Sequence, residues 1–192
     1  MQIFTQLPHS TLEVSAGTIA GLPDERLRRL ADYWFARRSG NSVPARATID
    51  PIDFPALLPN ILLIERVIQD GTDRYRFRLT GTDIARYTGR ELTGRFLNDV
   101  VPADYHDYVR QMNRVALGQR RPVYSSSLYH DKGDFVNAIT YRLIMPLTSG
   151  TADGEPDLLF VCQFWQRRAE PGPWHGDWRS VTPEIRVIEA AA

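Results

Sequence analysis

The chain has 192 residues, of which 43% are hydrophobic, and this fits one domain with a buried core and extensions at its ends. Its 23 basic and 23 acidic residues cancel, so the overall charge does not indicate nucleic acid or an anionic membrane as a partner. Cys162 is the only cysteine, which excludes an intrachain disulfide and any metal centre held by several thiolates.

Residues 1–22 are predicted to be an N-terminal extension that holds at most a short strand at Thr11–Val14. Residues 1–10 lack the basic segment and continuous apolar run of a signal peptide. Nowhere does the chain approach the roughly 18 consecutive apolar residues of a membrane span. We therefore expect a cytoplasmic protein.

Residues 23–60 are predicted to form a helix and a proline-rich connector. Pro23 suits a first helical turn and Gly40 can end the helix, while the prolines that follow limit the connector to a short helical turn around 52–58. One face is apolar at helical spacing: Leu27, Leu30, Ala31 and Trp34. Two interpretations stay open for it, a homodimer surface through Leu27, Leu30 and Trp34, or packing on the protein's own sheet.

The centre of the chain is predicted to hold strands. Ile61–Ile68 is apolar at nearly every position, which is typical of a strand covered on both faces. Asp70-Gly71 predicts a hairpin turn. Arg74–Leu79 alternates strictly, so we expect Tyr75, Phe77 and Leu79 to share a buried face.

Two helices are predicted next. Thr82–Tyr87 is a short helix that ends near Gly89, and Gly94 allows a second reversal of the chain. Asp104–Leu117 is amphipathic, with an apolar face formed by Tyr105, Tyr108, Val109, Met112, Val115 and Ala116.

Three more strands are predicted at Val123–His130, Phe135–Leu147 and Asp157–Trp165, with a turn at residues 131–134. Since the first and last strands of the series are apolar on both faces, we expect them to lie side by side at the centre of one antiparallel sheet. The later helices would cover one face and the N-terminal helix part of the other. Residues 167–192 are predicted to be a tail that wraps loosely or becomes ordered on a partner.

This order of elements resembles the PAS fold, an α+β fold with a five-stranded antiparallel sheet of order 2-1-5-4-3 and helices over one face. The segment before the long helix is similar to the PAS signature at Gly89, Glu91, Leu92, Gly94, Phe96, Leu97 and Pro102. A wider set resembles short stand-alone PAS-like proteins of alphaproteobacteria: Tyr33-Trp34, Pro44-Ala45-Arg46, Asp50-Pro51, Leu57-Leu58-Pro59 and Arg76-Phe77-Arg78-Leu79-Thr80-Gly81-Thr82. The domain core is predicted at residues 61–166.

The chemistry-bearing residues do not form a recognisable catalytic set. The histidines are His9, His106, His130 and His175, and Cys162 lies in an apolar strand, where we expect a small hydrophobe rather than a nucleophile. The sequence contains no serine-hydrolase elbow, zincin, P-loop or dinucleotide-binding motif. We predict a protein that is not an enzyme, although a small α+β enzyme with unidentified catalytic residues stays open.

A small-molecule pocket is predicted between the sheet and the helices. Its candidate residues are Phe77, Leu79, Tyr141 and Leu143 from the sheet, facing Ile84, Tyr87, Phe96, Leu97, Tyr108 and Met112. Tyr87 and Tyr141 would supply hydroxyl groups within an apolar lining, the usual composition of ligand sites. A filled core without ligand is the alternative.

The sequence does not identify a cofactor. Some haem-binding PAS sensors use a histidine on the long helix, and His106 is the candidate ligand by that resemblance. Helical geometry places His106 about 120° from the centre of the apolar face, beside Arg110 and Asn113, so we expect no haem. The position of Cys162 on the last strand differs from that of the reactive thiol in flavin-binding relatives.

The resemblance implies a non-enzymatic sensory module in bacterial signalling. It would bind a small molecule, a protein partner or both. We expect a homodimer, a separate signalling protein as the output partner, and no nucleic acid or membrane.

Overall fold

A computed structural model describes residues 13–101, 103–129, 138–150, 154–167 and 184–190. The strands are β1 (Val14–Thr18), β2 (Ile61–Gln69), β3 (Thr72–Thr80), β4 (Val123–Tyr129), β5 (Ala138–Leu147), β6 (Leu158–Arg167) and β7 (Glu184–Glu189). The helices are α1 (Glu25–Ala36), α2 (Thr82–Thr88), α3 (Leu97–Val100) and α4 (His106–Gln119). Short 3-10 turns occupy the proline-rich connector, the longest at Pro55–Asn60. The turn predicted at residues 131–134 lies outside the described residues.

The predicted pairing of the first and last strands of the series is confirmed. β2 and β6 run antiparallel side by side, with Ile61 opposite Cys162 and Glu65 opposite Leu158. Five strands follow one another across the sheet as β3-β2-β6-β5-β4, which is the order 2-1-5-4-3 in that series. The α+β class and the PAS-like sheet are therefore confirmed.

The strand count differs from the prediction, because the sheet has seven strands and is mixed. β7 pairs antiparallel with β4, and β1 pairs parallel with β7, so both join the edge beyond β4. The expectation of a loose tail is wrong for β7, whose Ile185 and Ile188 are buried in the cores on opposite faces of the sheet. The predicted strand at Thr11–Val14 begins outside the described residues, and the observed β1 starts at Val14.

α1 packs on the protein's own sheet. The Asp24 side chain caps it by accepting from the Arg26 backbone N–H at 2.8 Å. Leu27, Leu30 and Trp34 are at most 2% exposed, and the Trp34 Nε1–H donates to the Pro146 carbonyl oxygen of β5 at 2.8 Å. The proposal that these three side chains form a dimer surface is therefore corrected, since the protein's own core already buries them.

The opposite face of the sheet is covered by α2, α3 and α4, as predicted. The predicted apolar face of α4 packs in the core on this side, with Tyr108, Met112 and Ala116 buried. Gly89 and Gly94 have φ angles of +69° and +85°, a conformation that glycine adopts at little steric cost. They let the chain reverse twice between α2 and α3, as expected.

Replacing Gly81 with alanine should destabilise the protein by more than about 2 kcal/mol. A Cβ atom at position 81 would lie 2.3 Å from the Pro59 carbonyl oxygen, where the chain leaves β3 against the start of β2. The Gly81 N–H also bonds the Ile61 carbonyl at 2.7 Å, so the backbone cannot move away freely. Urea unfolding measures the change. Gly118→Ala is the control, because a Cβ there meets no atom within 4 Å. Equal stability of both variants would contradict this packing.

The thiol of Cys162 should react with Ellman's reagent at pH 8 at least ~100-fold more slowly in the native protein than in the unfolded chain. Burial raises its pKa from an ordinary value of 9.0 to about 12. The neutral thiol therefore contributes stability below about pH 9, and that contribution is lost as the pH rises toward 12. Leu30→Ala should speed labelling by loosening α1, whereas Ile52→Ala, at an 82% exposed position, should not. Rapid native labelling would contradict the burial.

Candidate ligand cavity

A cavity of about 440 Å³ lies between the sheet and the helices α2, α3 and α4. It has a sheet wall of Leu62, Ile64, Phe77, Ile144 and Val161. The helical wall includes Ile84, Leu97, Val100, Tyr108, Val109 and Met112. This volume falls within the roughly 300–1,000 Å³ of ligand pockets, and the walls have the apolar composition usual for them.

One end of the cavity is polar because of the order of residues along the central strands. Arg142 of β5 lies opposite Gln163 of β6, whereas the next residues on the same face, Ile144 and Val161, are apolar partners. The Arg142 guanidinium donates from Nε to Gln163 Oε1 at 2.9 Å and from Nη1 to Ser127 Oγ at 3.0 Å. The cavity therefore changes from polar to apolar within two residues along β5.

Asn113 of α4 is a further polar residue of the cavity lining. The residue is 2% exposed, and its Nδ2 has no hydrogen-bond partner among the described residues. The sequence had placed Asn113 off the apolar face of this helix, and the structure corrects that. A buried amide nitrogen without a partner loses its hydration without compensation. This is the property expected of a group that meets a ligand.

A buried hydrogen bond ties α4 to the sheet beside the cavity. The Tyr108 hydroxyl forms a short hydrogen bond with Ser125 Oγ of β4, and it also donates to the Ser126 carbonyl oxygen at 3.4 Å. Tyr108 and Ser125 are at most 3% exposed. This bond fixes how far the helix stands from the sheet at the polar end.

Five of the ten residues predicted for the pocket line the cavity: Phe77, Ile84, Leu97, Tyr108 and Met112. Two more of the predicted residues, Tyr87 and Phe96, lie beside the cavity and pack against other side chains. Tyr87 stacks on Trp165 with the ring centroids 4.1 Å apart, and the Arg74 guanidinium lies 3.9 Å from the ring centroid of Phe96. Neither side chain is part of the lining.

Leu79 faces away from the cavity because the β2–β3 pairing contains a bulge. Phe77 pairs with Ile64, but Leu79 pairs with Leu63, so Arg78 is the extra residue. An extra residue interrupts the alternation of faces that the sequence pattern assumes. Leu79 is 45% exposed, and its predicted place in the pocket is wrong.

Tyr141 and Leu143 lie on the α1 side of the sheet, and the pocket assignment is wrong for both. Leu143 is fully buried in the core beneath α1, and Tyr141 packs against the same core. Their neighbours Arg142 and Ile144 line the cavity instead. The signal that sequence reasoning missed is the single charged residue inside the apolar β5, which marks the polar end of the cavity.

His106 is not among the residues that line the cavity. Its Nε2 forms a hydrogen bond with the Val101 carbonyl oxygen at 2.7 Å, so this nitrogen is directed at the backbone. His9, His130 and His175 lie outside the described residues. Within the described ranges, no three His, Cys, Asp or Glu side chains are grouped closely enough to hold a metal ion.

A comparison with family models matches residues 24–161 to the family described as PAS domain. The match extends from the start of α1 to the middle of β6 and so includes both walls of the cavity. No curated protein and no solved structure matches the chain. None of the helices in the described part of the chain is long and apolar enough to cross a membrane.

Tyr108→Phe should destabilise the protein by about 1–2 kcal/mol, because it leaves the buried Ser125 hydroxyl without this partner. Ser125→Ala should cost less, because the Tyr108 hydroxyl can still donate to the Ser126 carbonyl oxygen. The double variant should cost little more than Tyr108→Phe alone, since it leaves no orphaned hydroxyl group at this bond. Chemical unfolding of the four proteins measures the coupling. Additive losses would show that the two hydroxyl groups do not interact.

Proposed function

Because the chain belongs to the PAS domain family, we propose that it is a non-enzymatic sensory module whose cavity binds a small, mostly apolar molecule. The single observation that carries this proposal is the 440 Å³ cavity between the sheet and the helices. A volume in the range of known ligand pockets favours a binding site over the alternative of a filled core.

The lining supports binding rather than catalysis. No histidine or cysteine is found among the described residues that surround the cavity. The Tyr108 hydroxyl is hydrogen-bonded to Ser125 Oγ and to the Ser126 carbonyl oxygen, and neither of these is a general base that would activate a nucleophile. We accordingly assign no catalytic residue.

The signal would leave the domain through the elements that enclose the ligand. α4 touches both the sheet and the cavity, so a ligand that alters the spacing between them shifts the population of two packing states. The resemblance to short stand-alone proteins supports a separate signalling protein as the receiver in the bacterial cytoplasm. We also propose a homodimer, with a contact surface other than the buried face of α1.

Ile144→Phe should weaken binding of the neutral apolar fluorophore N-phenylnaphthylamine by about tenfold or more, because the added ring extends into the cavity. Leu79→Phe is the matched control, since it adds the same ring at an exposed position on β3. Fluorescence titration measures both affinities, and thermal unfolding verifies that both variants fold. Native mass spectrometry of the wild-type protein identifies any ligand retained during purification.

The outcome separates the two interpretations of the core. Saturable binding that is lost only in Ile144→Phe supports a ligand site. Absence of saturable binding by the wild-type protein, or equal loss in both variants, would contradict the proposal.

A further inference from the structure

In the described part of the chain, Asn113 alone combines a place in the cavity lining with a buried side-chain atom that lacks a hydrogen-bond partner. The atom is Nδ2, and the residue is 2% exposed. Tyr75 and Thr140 also bury an unpaired hydroxyl group, but neither residue lines the cavity. Most buried polar groups of proteins are paired, so an exception that borders a cavity requires an explanation.

The position of Asn113 along the helix does not supply that explanation. Tyr105, Val109 and Asn113 follow one another at intervals of four residues and line the cavity in one row, with Met112 beside them. Asparagine is a weaker helix former than leucine or methionine, and the Nδ2 of this residue ties the helix to no other element. An apolar side chain would continue the row without burying an unpaired amide. The amide is therefore accounted for by what enters the cavity.

We propose that Asn113 is a specificity-determining residue, whose Nδ2 donates a hydrogen bond to an acceptor, such as a carbonyl oxygen, on an otherwise apolar ligand. This inference rests on the proposed function, because it names the class of molecule that the cavity binds. A side-chain amide nitrogen can only donate, so an entirely apolar ligand leaves it unsatisfied and a ligand group without an acceptor cannot pair with it. The cavity thereby discriminates between two molecules of the same shape.

Two probes of matched shape test this discrimination, 2-acetylnaphthalene and 2-isopropenylnaphthalene, because they differ only in a C=O group in place of a C=CH2 group. Displacement of N-phenylnaphthylamine from the protein measures both affinities, and their ratio is the ketone preference. Asn113→Leu replaces the amide with an apolar group of similar size. The ketone preference should be at least about tenfold lower in this variant than in the wild-type protein.

Asn98→Leu is the matched control. It makes the same replacement at an exposed position of α3 that does not line the cavity, and it should leave the ketone preference within about twofold of the wild-type value. Nuclear magnetic resonance of the wild-type protein gives a second measurement that depends on no variant. The side-chain NH2 protons of Asn113 should shift downfield on saturation with the ketone and not with the hydrocarbon, because only the ketone accepts a hydrogen bond.

The possible results are distinct. A ketone preference that is unchanged in Asn113→Leu, or lowered equally in Asn98→Leu, would overturn the role of Asn113 while leaving the cavity a binding site. Displacement of N-phenylnaphthylamine by neither probe would overturn it as well. If the wild-type protein binds neither the probes nor N-phenylnaphthylamine, the proposed function itself is contradicted. Thermal unfolding verifies that the variants fold. If Asn113→Leu does not fold, the NH2 protons decide, and equal shifts with both probes would overturn the assignment.

Discussion

The pairing of β2 with β6 is the constraint on which the rest of the fold depends. These strands are far apart in sequence and lie at the middle of the sheet, so their register sets the position of every other strand. Each carries apolar side chains on both faces. Ile61 and Cys162 pack on the α1 side, whereas Leu62 and Val161 face α4. A strand pair of this kind requires cover above and below, and the helices supply it on both sides.

The two faces of the sheet are linked through β5. Leu143 is buried beneath α1, and Arg142 and Ile144 on either side of it face the cavity. Because successive side chains alternate, a shift of one residue would carry Arg142 into the apolar core beneath Trp34. The packing of α1 thus selects the register that gives the cavity its polar end. A stable core on one face determines the chemistry of the other.

Much of the fold could be predicted from the sequence, and the incorrect predictions have identifiable physical causes. The long apolar runs of β2 and β6 have one physical interpretation, and the structure agrees with it. The apolar stripe of α1 predicted a buried face but not whether the protein's own sheet or a second copy covers it. Residues 143–147 of β5 are apolar at every position, so the sequence pattern does not indicate which of these side chains face the cavity. The bulge opposite Leu63 depends on pairing with β2 and leaves no local signal. β7 has only six residues and pairs with a strand distant in sequence, which composition alone does not reveal.

β7 and β1 extend the sheet beyond the five strands of the PAS-like order. In a five-stranded sheet of this order, β4 would expose its outer row of backbone donors and acceptors. Here β7 occupies that row, with Ser125 opposite Ile185, and β1 covers β7 in turn. The family match at residues 24–161 includes neither strand. A chain shortened to the matched segment would leave β4 with an open edge, and open edges recruit strands from other molecules. The two added strands therefore move the edge of the sheet from β4, which holds the serines of the polar end, outward to β1.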